Sequence, residues 1–350
     1  MQSLFQAPPE TEPVWTAIAE GLERCSRLFE RELTSDLPPV ARLCRHVERY
    51  RGKMLRPTLS LLCGMASAPP PTGEHANPKA WSSLLSQELV TVGTVCELVH
   101  MATLVHDDVL DEADTRRRGQ TVNRLYGNEA AVILGDYLIA SAYHLCSSLR
   151  DQSAALVIAR TSLSLCAGEL LQLHHRNDAS LDEATYFEIV ARKTGDLIAA
   201  SCSLGVAQMP SAKQHESALH AFGRLLGVAF QIQDDLLDLT GTEAVVGKSV
   251  HKDLEKGKLT LPLIHHLRHA PARERGRTLL LLESASDPGA LERSELMLRD
   301  ALESTASIAY ARTRAESLVG EAIAELDSLP ASPARTLLHA MAAAVVNRSY

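Results

Sequence analysis

The sequence predicts an all-helical protein, and three observations carry that expectation. Aromatic residues make up only 4% of the chain while Leu and Ala are abundant, a composition that favours helix over sheet. Apolar positions recur at three- and four-residue steps through 84–110, 129–149, 152–173, 183–204 and 215–239. Asn-Gly hairpin signals are absent, as is the alternation that a parallel sheet needs.

Taken in order, residues 1–13 are polar and proline-bearing and read as a loose arm, leaving 14–350 as one large helical domain. Residues 15–65 read as two helices separated by Leu37-Pro38-Pro39. Segment 67–80 concentrates Pro, Gly and Asn and reads as a loop. Helical periodicity then runs almost unbroken from 81 to 239. Segment 240–258 breaks it with three glycines and five lysines or histidines, and reads as a mobile loop over something anionic. Helices resume at 259–268, 273–283, 289–303, 305–327 and 332–347.

Bulk properties exclude several classes. A net charge of −8 argues against a nucleic-acid binder, whose footprint is normally basic. The seven cysteines (25, 44, 63, 96, 146, 166 and 202) lack Cys-x-x-Cys spacing, so they read as apolar core in a reducing compartment. The N-terminus has no basic start followed by an apolar run, and no uninterrupted apolar stretch approaches the roughly 18 residues of a membrane span. A cytoplasmic protein without a transmembrane segment is expected.

Two aspartate clusters of identical spacing decide the chemistry. Asp107, Asp108 and Asp111 form the first; Asp234, Asp235 and Asp238 form the second. On a helix, positions i, i+1 and i+4 fall within an arc of about 100°, so each triplet presents three carboxylates on one face. Apolar neighbours crowd both, and three partly buried acids repel one another unless cations neutralise them. Oxygen-only ligands suit Mg²⁺, which binds through a few carboxylates plus substrate phosphates. One such triplet alone would more often be a solvated helix face; two in apolar context point to a metal-clamped diphosphate.

Basic residues stand where phosphates would need them. Arg116-Arg117-Arg118 follows the first triplet, and guanidinium forks take phosphate oxygens bidentately. Lys53 and Arg56 are expected at i, i+3 on one side of a helix start, where anions are favoured. His100 lies seven residues before Asp107 on nearly the same stripe, while His106 points elsewhere and reads as structural. Lys193 puts a charge inside an apolar helix and needs a partner. Thr194 and Gln231 could offer oxygen dipoles to a developing positive charge.

These residues resemble the trans-isoprenyl diphosphate (polyprenyl) synthases, in order, from about Arg42 to Arg348. The motifs are Arg51-Gly52-Lys53-Met54-Leu55-Arg56-Pro57, Asp107 to Arg117, Lys193-Thr194, Phe230 to Asp238, and Gly247-Lys248 through Pro262. The resemblance implies a single-domain, isoprenoid synthase-type helical bundle around a central active-site cavity, commonly a homodimer. It implies three Mg²⁺ ions held mainly by Asp107, Asp111 and Asp234, with Asp108, Asp235 and Asp238 in support. Arg116, Lys193, Lys248 and Lys258 would hold an allylic diphosphate, farnesyl or geranylgeranyl; Lys53, Arg56, His100 and Arg117 would hold isopentenyl diphosphate. Arg51, Arg118 and His251 depart from glycines of the family pattern, and none of these removes a ligand.

In this family the residues four and five places before the first motif gate the growing tail. Here Thr103 and Ala102 are small and leave the cavity open, as in long-chain synthases, so a product of six or more isoprene units is expected. The alternatives are a shorter-chain farnesyl or geranylgeranyl synthase, and a noncatalytic partner subunit of a two-component synthase. A terpene cyclase would carry a different second metal motif, and a helical scaffold would bind no pyrophosphate.

Overall fold

A computed structural model describes residues 8–50, 52–71, 77–117, 119–209, 211–240, 252–284 and 291–347. Helices dominate, as expected. Backbone proximity divides the chain into two units, each assembled from separate segments. The first comprises 1–163, 197–223 and 323–341; the second comprises 164–196, 224–322 and 342–350.

In the first unit, a 3₁₀ turn at Pro9–Thr11 leads into α1 (Glu12–Glu32), followed by α2 (Pro38–Val47) and α3 (Leu55–Ser67). Three helices thus occupy 15–65, where the periodicity suggested two. Pro38 does break the chain, but it also opens α2, because a proline at the first helical position lacks only a donor that would be unpaired anyway. The short α4 (Pro78–Ser82) and the long α5 (Gln87–Leu110) follow, each capped by a side chain. Asn77 accepts from the Ala80 amide and Ser86 from the Leu89 amide, satisfying donors the helix cannot.

Beyond α5, β1 (Thr115–Arg116) pairs antiparallel with β2 (Gly119–Gln120), and Arg117 between them has φ 48°. Positive φ suits the tight turns that close two-stranded hairpins. Next come α6 (Val122–Tyr126), α7 (Asn128–Ser147) and α8 (Ser153–His174), whose last turns enter the second unit. α5 packs most extensively on α7 and then on α3, so it forms the spine of this unit. Gly135 on α7 leaves the room that the His106 ring occupies, and His106 Nε2 lies 3.1 Å from the Val132 carbonyl oxygen. His106 therefore is structural, as its geometry implied.

In the second unit, α9 (Glu183–Val190) runs into a π-helical turn at Ala191–Gly195 and then α10 (Asp196–Ala207), most of which belongs to the first unit. The periodicity of 183–204 had suggested one continuous helix. α11 (Glu216–Thr240) carries the second aspartate triplet. One helical turn, α12 (Lys252–Glu255), falls within the segment read as a loop; 241–251, including Lys248 and His251, lies outside the described residues. α13 (Leu261–His269), α14 (Ala272–Ser284), α15 (Leu291–Ser304), α16 (Ser307–Glu325) and α17 (Pro333–Val346) complete the chain. Leu239, Leu254, Leu263, Leu298 and Leu302 form a core here, each buried leucine contributing about 1.5–3 kcal/mol.

No run is uninterrupted, as expected, but among the described residues α5, α7 and α8 are long and apolar enough by mean hydropathy to cross a membrane despite the charges of Glu97, Asp136 and Arg160 within them. The apolar window of α5 is 78% buried within the protein, whereas those of α7 and α8 are only 39% and 28% buried. Six cysteines are buried; Cys166 is exposed.

Candidate active site

The first triplet sits where α5 ends. Asp107 and Asp108 occupy its last turn, and Asp111 is the C-cap, its amide donating to the Asp107 carbonyl at 2.8 Å. The outgoing chain is tied back: the Ala113 amide and the Asn123 side chain donate to the Asp108 carbonyl, and Thr121 Oγ1 donates to the Ala113 carbonyl at 2.6 Å. Carbonyls left over at a helix end are thereby satisfied.

Within this triplet burial is unequal. Asp108 is 1% exposed, while Asp107 and Asp111 are half-buried. Arg116 Nε and Nη2 both donate to Asp108 Oδ1 at 2.8 Å. Burial pushes the Asp108 carboxyl up and Arg116 pulls it down, with burial the larger influence. Asp108 Oδ2 is buried, and the hydrogen bonds among the described residues leave it without a partner.

Arg56, His100, Arg116 and Arg117 share one electrostatic neighbourhood. Burial and then the charges of Arg56, Arg117 and Arg116 hold His100 well below its usual pKa, leaving a neutral ring among guanidiniums. A cluster of this sign has the electrostatics of an anion site. Burial works against the Arg56 charge, and Glu97, buried one turn before His100, offsets it. Arg117 lies against Gly52, where a Cβ would overlap its guanidinium. Lys53 departs from its expected place: Met54, at φ 52°, is the N-cap of α3, so Lys53 precedes the helix and Arg56 lies inside it. A left-handed residue between them ends the i, i+3 relation.

The second triplet repeats the inequality at its first two positions, while its third aspartate is buried where Asp111 is not. Asp235 and Asp238 are 6% and 7% exposed, and Asp234 is half-buried. Tyr186 donates its hydroxyl to Asp235 Oδ2 at 2.7 Å, and Gln231 Nε2 donates to Oδ1 at 2.8 Å. Thr194 Oγ1 donates to Gln231 Oε1 at 3.0 Å. Burial, with the nearby Asp253 charge, raises the Asp235 pKa despite both hydrogen bonds. Asp238 Oδ2 accepts from the Asp253 amide at 3.2 Å.

Lys193 and Thr194 fall on the π-helical turn, a feature that recurs at functional positions because it re-aims successive side chains. Lys193 meets Glu169 in an ion pair and donates to Gln172 Oε1 at 3.0 Å. Lys193, Thr194, Gln231, Asp235 and Lys258 line one open pocket. Ala102 is fully buried on α5; Thr103 is half-buried and donates to the His100 carbonyl at 2.8 Å. Sequence reasoning missed Tyr186, Glu169 and Gln172. Glu169 and Gln172, at i, i+3 in an apolar run, could have been found as a polar spot on one face; Tyr186 carried no such signal.

No group of three or more His, Cys, Asp or Glu among the described residues forms a ready-made metal cage. Mg²⁺ does not demand one, since it keeps waters and takes phosphate oxygens alongside one or two carboxylates. The all-oxygen donor set and the unpartnered, buried Asp108 Oδ2 fit that ion.

Residues 38–294 match the family model described as polyprenyl synthetase. The chain is 32% identical over 330 residues to octaprenyl diphosphate synthase of Escherichia coli, covering 94% of this chain and 96% of that one. It is 30% identical over 338 residues to heptaprenyl diphosphate synthase component 2 of Bacillus subtilis, covering 96% and 90%. A crystal structure of polyprenyl synthase from Caulobacter crescentus, complexed with calcium and isoprenyl diphosphate, superposes with a TM-score of 0.84 at 27% identity, covering 97% and 98%.

Proposed function

The chain belongs to the polyprenyl synthetase family and is a prenyltransferase, and on that premise we propose that it joins isopentenyl diphosphate head-to-tail to an allylic diphosphate, giving a long-chain all-trans polyprenyl diphosphate. The observation that carries the reading is the matched inequality of the two aspartate triplets. In each, the second aspartate is buried and gripped by protein donors while the first is left half-buried. Asp107, Asp111 and Asp234 would hold Mg²⁺, three ions with diphosphate bound, and Asp108, Asp235 and Asp238 would support them. The calcium in the Caulobacter relative is in keeping with divalent ions at such a site. When bound, Mg²⁺ would neutralise charge on the diphosphate leaving group.

The chain's own residues do the remainder. Arg116 keeps three N–H groups beyond the two on Asp108 and can fork onto the allylic diphosphate with Lys193, Lys248 and Lys258. Lys53, Arg56, His100 and Arg117 orient isopentenyl diphosphate. Because Thr194 gives its proton to Gln231, its oxygen lone pairs remain to face the cation formed as the allylic carbon–oxygen bond breaks. The isopentenyl double bond attacks that cation, and the proton lost afterwards passes to the departing pyrophosphate. Leu181, Ile189, Val190 and Leu259 give the pocket an apolar side, which limits the water that would quench the cation.

A homodimer, as one catalytic domain per chain, fits an unpartnered apolar stripe. Leu156, Leu163 and Leu170 recur every seven residues on α8 and are 52%, 72% and 67% exposed, the spacing of a helix–helix seam. The Bacillus relative is named as one component of its synthase, so a partner chain is the second reading for this stripe. The decisive assay supplies purified protein with Mg²⁺, isopentenyl diphosphate and farnesyl diphosphate, and sizes the dephosphorylated products by mass spectrometry. A ladder ending at a long polyprenol is expected. A twenty-carbon stop would remove the long-chain assignment, and no condensation from any allylic starter would favour the partner-subunit reading.

A further inference from the structure

Two polar side chains, Tyr186 and Gln231, grip the carboxylate of Asp235, and Tyr186 has no role in the scheme above. Tyr186 is 4% exposed, and its hydroxyl donates to Asp235 Oδ2 at 2.7 Å. A buried phenol normally finds some partner, so the contact alone is unremarkable in kind. Its place is not. Gln231 takes the other oxygen of Asp235, and the orientation of its amide follows: with Nε2 committed to the carboxylate, Oε1 must face Thr194. Thr194 then donates, which leaves its lone pairs as the outward dipole. The protonation pattern along Tyr186, Asp235, Gln231 and Thr194 is therefore set from one end.

The helix that carries Tyr186 is itself secured. Asp182 caps α9 by accepting from the Thr185 amide at 2.7 Å. Tyr310 on α16 donates to the Glu183 carboxylate, with its hydroxyl 2.7 and 2.9 Å from the two oxygens. One turn later comes Tyr186, and after it the π-helical turn that presents Lys193 and Thr194. The anchor and the functional turn lie on one continuous segment.

We propose that Tyr186 is a positioning residue that clamps Asp235, and through it sets both the support behind Asp234 and the orientation of Gln231 and Thr194. This rests on the proposed function of the same site. Freed of Tyr186, Asp235 Oδ2 can rotate toward Asp234, adding repulsion where a divalent cation should bind and loosening the Gln231 amide.

The test compares wild-type protein with Tyr186→Phe, which keeps the ring and its packing. The first readout is the Mg²⁺ concentration giving half of the thermal stabilisation by inorganic pyrophosphate, measured without turnover. It is expected to rise about tenfold, the share of a hydrogen bond to a charged group. kcat should fall while KM for isopentenyl diphosphate stays within about twofold, since that substrate is assigned to other residues. A Tyr186 that merely packs would leave both the Mg²⁺ midpoint and kcat unchanged in Tyr186→Phe, since the ring is retained; that result overturns the proposal. In an Asp235→Asn background Tyr186→Phe should add little, because both act on one carboxylate, whereas additive effects on the Mg²⁺ midpoint would also overturn it. Wild-type protein with no Mg²⁺-dependent response to pyrophosphate would overturn the proposed function, and the role of Tyr186 with it. A wild-type response matched by Tyr186→Phe would sink only the latter.

Discussion

Asp234→Asn and Asp235→Asn are neighbouring changes that should fail differently. Asp234 is half-buried and assigned to a cation, so its amide should cost about 10²–10³ in kcat and weaken Mg²⁺-dependent pyrophosphate binding. Burial and the Asp253 charge oppose ionisation of Asp235 when no cation is bound, so a neutral amide there should leave the melting temperature of the metal-free protein unchanged or higher. Activity should nonetheless drop, because an amide at 235 donating to Gln231 would flip that side chain and turn its N–H groups toward Thr194. Thermal melts beside steady-state rates separate the two; a large loss of melting temperature in Asp235→Asn would refute the assignment. Gly52→Ala tests a different point. Its Cβ would meet the end of a flexible arginine rather than backbone, so Arg117 should move and the fold should not. KM for isopentenyl diphosphate should rise about tenfold with an unchanged melting temperature. The motif aspartates, Arg56 and His100 were legible because ligand chemistry uses short, local spacing. Tyr186 was not, since its partner lies 49 positions away.

Helices in this protein meet at close approaches and buried polar contacts. On α10, Gly205 lies against α3 so tightly that a Cβ would overlap the Ser60 carbonyl oxygen, a backbone atom that cannot yield alone. Gly205→Ala should therefore destabilise by about 3 kcal/mol in urea denaturation, and a loss near zero would show that the helices can part freely. His266 links three elements: Nδ1 lies 2.9 Å from Thr305 Oγ1, just before α16, and Nε2 lies 2.9 Å from Thr278 Oγ1 on α14. Burial holds its pKa below the usual value of 6.5, so the folded ring stays neutral while the unfolded one takes a proton. Its contribution is full above about pH 6.5 and is lost as pH falls further. The stability lost in His266→Gln should hence shrink between about pH 7.5 and 5.5; a constant difference would contradict this. Most helix bounds followed from periodicity. The π-helical turn did not, because a single extra residue in one turn leaves the apolar pattern on either side intact.

At the scale of the whole molecule, the apolar stripe on α8 is the feature most open to challenge. Leu163→Glu places a charge at its most exposed point, where it costs the isolated chain little. Light scattering should report a dimer for the wild-type protein and a monomer for the variant. A monomeric wild-type protein would refute the dimer seam. Product length belongs to this scale as well. Ala102→Phe, a bulky ring at the small position expected to gate the tail, should shorten the product ladder sized by mass spectrometry, and an unchanged ladder would refute that role.

By itself the sequence determined the helical class, the paired carboxylate triplets and the family, because helical geometry turns spacing into faces and metal chemistry selects residue types. Tertiary structure alone decided which aspartates are buried and gripped, what partners Lys193, and which way Gln231 and Thr194 point. Those outcomes depend on desolvation and on hydrogen bonds between residues far apart in the chain, and neither is encoded in local spacing.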